Sequence, residues 1–407
     1  MKIIYLLSRF EPVGGQELYL ARRQMLQGHD VLVVSSSLHY PLQNMRERYT
    51  LEGLTDEDYD RTEGPQTIDG LRILRLKSAF HYDDFVYVRG IKKVLQDFQP
   101  DVVFGHEPRT IMPILGAWYK QKFGYVYFLD THDFFHKVQN HRWWQRALRY
   151  AEYFWWRKWF VLYALKRADR IIAVAGECRT FLEKRHGISP ERINDLPLGV
   201  ETDYYIYREE NRFRSREELG YTGQDVVLIF SGYMFRRKAI ESLIDALSHL
   251  KDLPLKLLLV GEGPEDYIRE LKKHAAELHV DGQIRFFGFA SRKRMEELYC
   301  AADIGVWPGN NTLAILEAMS CRLPLVIADM QLSHLAGHEN GILVPYADVG
   351  ALEKALLKLA TDRELRVKMG EKGAAAVRTQ YSYAVLADQL SSWMEEAIRE
   401  KRSARRA

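Results

Sequence analysis

Cysteine is scarce: three in 407 residues, Cys178, Cys300 and Cys321, scattered and without metal-ligand spacing. A dispersed, odd-numbered set excludes a disulfide framework and fits a reducing compartment. No apolar run reaches the ~18 residues of a membrane span. The opening "MKIIYLL" passes straight into "SRFEP" and reads as a first strand, not a signal peptide. A Walker loop is missing, and so is GxGxxG, which leaves a dinucleotide oxidoreductase unsupported. Excess charge is also missing. A net charge of +3, with no register of basic and aromatic residues, gives nucleic acid no footing as a partner.

What is present is a strand–helix alternation along almost the whole chain. "IIYLL" leads into a Gly14-Gly15 turn, a helix from about Gln16 to Gln27 stops at Gly28, and "DVLVVSS" follows. Such βαβ units build parallel sheets. "DVVFGH", "YVYFLD" and "RIIAVA" extend the first series; "DVVLIFSG", "LKLLLVGEG", "QIRFFGF", "DIGVW" and "LPLVIA" form a second. The length exceeds one ordinary core, so two α/β domains are expected. We place the first at residues 1–196 and the second at 223–384, with a charge-rich linker at 197–222. A C-terminal helix and basic tail, 385–407, is expected to pack back toward the first domain. Residues 40–66 are polar and read as a surface loop.

Ligands of doubly wound domains bind beyond the carboxyl ends of parallel strands, here in a cleft between the two domains. Three turns at such ends suit a phosphate: Gly14-Gly15, Ser231-Gly232 with Lys238 nearby, and Asn310-Asn311-Thr312. The first and third open a helix, whose free N–H groups favour an anion.

The segments "PVGGQELYLARRQMLQGHDVLVV", "RADRIIAVAGECRTFL", "LPLGVETDYY", "LLLVGEGPEDYIRELKKHAAELHVDGQIRFFGFASRKRMEELYCAADIGVWPG" and "LEAMSCRLPLVI", in this order and at these intervals, resemble the family 4 glycosyltransferases. The likeness covers nearly the whole chain. It implies the GT-B fold, with two Rossmann-like domains facing a central cleft. It also implies retaining transfer of a sugar from a nucleotide diphosphate donor, without a metal or other cofactor.

Carried over residue by residue, the resemblance puts Lys238 on the donor diphosphate, where a fixed ammonium offsets the charge of the departing nucleotide. The family has an arginine just after the glycine of this turn, whereas Tyr233 follows Gly232 here; Arg236 or Arg237 supplies the missing cation. Glu317 matches the second glutamate of the family's pair and takes the ribose hydroxyls, since a carboxylate accepts two hydrogen bonds from a vicinal diol. Asn311 and the backbone N–H groups near Thr312 and Leu313 meet the donor. The pair's first glutamate is replaced by Gly309, so sugar recognition departs from the family pattern. In the first domain, Gly15 lets backbone approach the donor phosphates. His132 matches a cleft histidine that orients the donor sugar or a diphosphate oxygen, and its ordinary pKa allows either charge state. Asp133 and His106 are acceptor-side candidates. Asp56 with Asp58, and Asp83 with Asp84, read as solvated charges, so no metal ligands are assigned.

Residues 141–170 hold five of the eight tryptophans and eight Arg or Lys against two acids. This pattern suits either a doubly buried core helix or a membrane surface, to which the tail "REKRSARRA" adds charge. The combined expectation is a cytoplasmic enzyme, which the membrane-surface reading places peripherally on the inner membrane face. It moves a hexose-like sugar to a hydroxyl of a glycan or lipid-linked glycan. A GT-B nucleotide-sugar epimerase and a non-catalytic nucleotide-sugar binding protein are the alternatives.

Overall fold

The computed structural model describes residues 1–11, 15–39, 50, 63–82, 85–132 and 157–404. The chain divides into two compact units: Met1–Leu198 together with Tyr383–Ala407, and Gly199–Ser382.

The first unit begins with β1 (Lys2–Leu7), α1 (Gln16–Leu26) and β2 (Asp30–Ser36), and continues with β3 (Gly64–Ile68), β4 (Leu71–Leu76), β5 (Ser78–Tyr82) and β6 (Phe85–Val88). Then come α2 (Ile91–Phe98), β7 (Val102–His106), α3 (Ile111–Phe123), β8 (Val126–Thr131), α4 (Lys158–Arg167), β9 (Arg170–Ala173), α5 (Gly176–His186) and β10 (Ile193–Asp195). Among the described residues the sheet runs β10-β9-β8-β7-β1-β2-β4-β3, parallel except for the antiparallel β3–β4 pair; β5 and β6 form a separate hairpin. The polar stretch read as a loop is thus strand from Gly64 onward, and residues 40–49 and 51–62 of it lie outside the described residues.

Alternation along β1 sends Ile4 and Leu6 into one core, and Ile3, Tyr5 and Leu7 into another on the opposite face. The second core is closed by the last helix, Tyr383–Ala404, through Tyr383, Leu386, Ala387, Leu390, Met394 and Ala397, a helical stripe. A buried polar pin fixes its register: Tyr5 donates to Gln24 at 2.8 Å, and Gln24 donates to the Ser391 hydroxyl at 3.0 Å.

The second unit contains α6 (Glu209–Leu219), β11 (Val226–Ser231), α7 (Ile240–His249), β12 (Leu255–Val260), α8 (Glu265–Glu277), β13 (Ile284–Gly288), α9 (Arg292–Ala301) and β14 (Ile304–Trp307). It ends with α10 (Ala314–Ser320), β15 (Leu325–Ala328), β16 (Gly341–Val344), α11 (Val349–Thr361) and α12 (Arg363–Ala376); the Tyr383–Ala404 helix is α13. Its sheet is wholly parallel, ordered β13-β12-β11-β14-β15-β16, over one core.

The expected linker at 197–222 is corrected here. From Gly199 onward it belongs to the second unit, and α6 packs on α9. Four of its arginines are in ion pairs. Arg212 and Arg216 meet Asp303 at 2.7 and 3.0 Å, Arg214 meets Glu297 at 2.6 Å, and Arg208 pairs with Glu296. Ion pairs replace the apolar stripe that would have revealed the helix. No described helix is long and apolar enough to cross a membrane.

Candidate functional site

In the second unit, the turns after β11 and β14 meet. Gly261, just past β12, lies so close to the Gly232 backbone that a Cβ there would overlap it, so only glycine permits the approach. Thr312 stands beside Gly232. Lys238 is buried, and its ammonium donates to the Asn310 carbonyl at 2.6 Å and to that of Asn311 at 3.5 Å. Burial, then the neighbouring Arg237, pulls the Lys238 pKa down to about 8. Asn310 N–H in turn donates to the Arg237 carbonyl at 2.9 Å. The lysine and the Asn310–Thr312 turn are therefore one hydrogen-bonded assembly at the strand ends.

Gly309 is explained by the same packing. A Cβ at this position would lie within 2.6 Å of the carbonyl oxygens of Arg237 and Lys238. No side chain fits, let alone a glutamate, without displacing the turn that carries the lysine.

The two arginines diverge. Arg236 is 68% exposed and reaches Glu270 at 2.5 Å and the Tyr267 ring at 5.4 Å. Arg237 packs over Phe235 at 5.4 Å and is the arginine whose charge acts on Lys238. Asn311 is held in place, its amide donating to the carbonyls of Ala328 and Gln331 at 3.0 and 2.6 Å. Among the described residues, the backbone N–H groups of Thr312 and Leu313 have no protein partner. Glu317, on α10, accepts from the Tyr299 hydroxyl at 2.9 Å; Tyr299 also takes the Ser231 hydroxyl at 2.8 Å. Burial and then Glu317 push the Tyr299 pKa well up, so it remains a donor. Tyr299 was not singled out by sequence; only its place on α9 opposite β11 reveals the link.

In the first unit, His106 at the end of β7 and His132 just past β8 come together, rings 5.1 Å apart. Two acids absent from the sequence reading join them. His106 Nδ1 lies 3.0 Å from Glu17 Oε1 and 2.9 Å from Asp130 Oδ1. His132 Nε2 is 3.8 Å from Glu17 and 3.7 Å from Asp130. Burial pushes the His106 pKa down, but Asp130 and Glu17 more than reverse this and hold it well above the usual value. The same contest, won by the Asp130 hydrogen bond, raises His132. Asp130 and Glu17, pushed up by burial, are brought below the usual carboxylate range by His106. Glu17 was detectable as the acid three residues after Gly14; Asp130 sat unremarked within "FLDTHD". Gly15 precedes α1 with φ 99°, a left-handed-side conformation suited to glycine. Gly14, Asp133, Asp56, Asp58, Asp83 and Asp84 lie outside the described residues, as do Trp143, Trp144, Trp155 and Trp156.

Comparison with known proteins agrees with this geometry. Residues 13–204 match the Glycosyltransferase Family 4 model and residues 211–376 the Glycosyl transferases group 1 model. The chain is 30% identical over 230 residues to a D-inositol 3-phosphate glycosyltransferase of Corynebacterium glutamicum (53% of this chain, 54% of the relative). It is 33% identical over 202 residues to a phosphatidyl-myo-inositol mannosyltransferase of Mycobacterium leprae (48% and 51%). The chain thus spans about half the length of these curated relatives. The fold of Anabaena HepE, solved in complex with UDP, superposes with a TM-score of 0.72 at 18% identity over 97% of this chain and 100% of that one. With both halves matched in order, the chain belongs to the family 4 glycosyltransferases and has the GT-B fold.

Proposed function

We propose that the protein transfers a hexose-like sugar from a nucleotide diphosphate sugar to a hydroxyl of a glycan or lipid-linked glycan, with retention at the anomeric carbon. The observation that carries this reading is the buried Lys238 ammonium anchored to the Asn310–Asn311 turn. Lys238 and Arg237 meet the diphosphate, the N–H groups of Thr312 and Leu313 add donors, and Glu317 takes the ribose diol. His132 orients the donor sugar, and His106 and Asp133 serve the acceptor. The anomeric C–O bond to the diphosphate breaks as the acceptor oxygen bonds on the same face; the acceptor proton leaves with a departing phosphate oxygen. No enzyme nucleophile is used, and charge compensation at the leaving group comes from cationic side chains, so no metal enters the step. HepE's UDP supports a uridine donor, and the names of the inositol glycosyltransferase and mannosyltransferase support a hydroxyl acceptor of that kind.

The test is a thermal-shift screen of UDP, GDP and ADP sugars followed by assay of nucleotide release. We expect release that survives EDTA and falls ~10²–10³-fold in Lys238→Ala, the scale of losing one preorganised donor. Release within threefold of wild type in that variant overturns the role of Lys238. Epimerised donor without nucleotide release would instead mark an epimerase, and binding without turnover a binding protein.

A second reading, that the acceptor is met at a membrane surface, is supported by Trp118 on α3 and Trp159 on α4, 65% and 67% exposed on helices that pack together. Lys122, Lys158 and Lys166 lie on the same two helices.

A further inference from the structure

Glu17, His106, Asp130 and His132 have a property beyond sugar transfer. One ligand atom from each lies within 4.8 Å of the other three. In a tetrahedral zinc site with N and O ligands at about 2.0–2.1 Å, neighbouring ligand atoms are ~3.3–3.4 Å apart. With Asp130 Oδ2 as its ligand atom, the four His–carboxylate separations are 3.0 and 3.0 Å for His106 and 3.8 and 3.7 Å for His132, which straddle that edge length.

The chemistry of the donor set agrees with the spacing. Two imidazoles are poor partners for Mg²⁺ or Ca²⁺ but suit Zn²⁺, and two carboxylates offset a dication exactly in charge. The framework is firm: His106 and Asp130 are direct neighbours in the parallel ladder of β7 and β8, and Glu17 stands in the first turn of α1. An outer partner is also in place, since Asp130 Oδ1 accepts the Glu107 N–H at 3.1 Å. Side-chain exposure ranges from 2% for Asp130 to 24% for His132, so water screens the cluster little, and a bound dication would take the place of the imidazole protons that face the carboxylates.

We propose that these four side chains bind one Zn²⁺ in a closed, four-ligand site. With all four positions filled by protein, the ion has no open place for water and serves to tie α1 to the ends of β7 and β8. Binding also fixes the His132 ring on the ion, away from the role assigned to it above. Bound Zn²⁺ therefore slows transfer, a consequence that rests on that reading, whereas metal binding itself does not.

The test uses the full chain stripped by a chelator and titrated with Zn²⁺ by calorimetry, with Co²⁺ as an optical probe of geometry. The proposal expects one ion per chain and the intense visible bands of tetrahedral Co²⁺. It expects affinity at least ~100-fold lower in Asp130→Asn and His106→Gln, beyond the 10–100-fold of losing an outer partner. His249→Gln, a surface histidine paired with Glu353, should bind as wild type does. Each variant is compared at matched circular dichroism, and Glu17→Gln replaces either one that does not fold. No stoichiometric uptake by wild type, weak octahedral Co²⁺ bands, or undiminished uptake in the folded ligand variants overturns the site, whatever the transferase assay shows.

Discussion

At Gly309 a single absent carbon decides the local design. Gly309, which the resemblance aligns with a glutamate, is pressed against the Arg237 and Lys238 carbonyls. Gly309→Ala should therefore cost about 1–3 kcal/mol of stability, the usual scale of overpacking, and Gly309→Glu more, with no gain in turnover from the restored acid. Urea unfolding and a turnover assay check this; a stable, faster Gly309→Glu would contradict it. Lys238 gives a second prediction. Its pKa, drawn down to about 8 by burial and then by Arg237, means that the free enzyme loses this positive charge as pH rises through 8. The pH profile of kcat/KM should fall there, while that of kcat falls at higher pH, because a bound diphosphate stabilises the ammonium. Arg237→Ala should move the kcat/KM fall upward. Stability has the opposite sign: between about pH 8 and the unfolded value of 10.5 the unfolded chain binds more protons, so folding gains as pH rises.

Among the elements, α6 shows where a sequence pattern misleads. Its run of Glu and Arg gives no apolar stripe, yet Asp303 accepts from Arg212, Arg216 and the Val227 N–H, at 2.7, 3.0 and 2.8 Å. Both Arg216 and Asp303 are largely buried, so Asp303→Ala leaves cations unpaired and should cost ~3–5 kcal/mol, read as a drop in Tm. A change below 1 kcal/mol would return α6 to the status of a linker. The strands were legible for the converse reason: "DVVLIFS" and "LKLLLV" are buried on both faces and carry their signal in composition alone. Helices α3 and α4 raise the membrane question in testable form. Binding to anionic vesicles should occur at low salt, weaken as salt is added, and fall in Trp159→Ser, whose ring is exposed. Absence of vesicle binding at low salt would leave these rings as surface features of a protein that meets its acceptor in solution.

For the whole molecule, the two α/β series and the strand-end turns were readable because each signal is local. The Gly232, Lys238 and Asn310–Thr312 assembly could be anticipated since each part sits just past a strand. The Glu17–His106–Asp130–His132 cluster could not be, as its members are up to 115 residues apart and only the neighbouring of β1, β7 and β8 unites them. The chain's return to its first unit through α13 was expected, but the Gln24–Ser391 pin that secures it joins residues with no pattern in common. The central claim is that Lys238 and Glu317 hold the two ends of a nucleoside diphosphate. Calorimetric titration of UDP, GDP and ADP into the full chain tests it most directly, with Lys238→Ala and Glu317→Gln alongside. One nucleotide should bind wild type. Glu317→Gln should weaken that binding by ~1.5–3 kcal/mol, a charge-assisted hydrogen bond, and Lys238→Ala should weaken it as well. Affinity unchanged in both variants, with the fold intact, would contradict it.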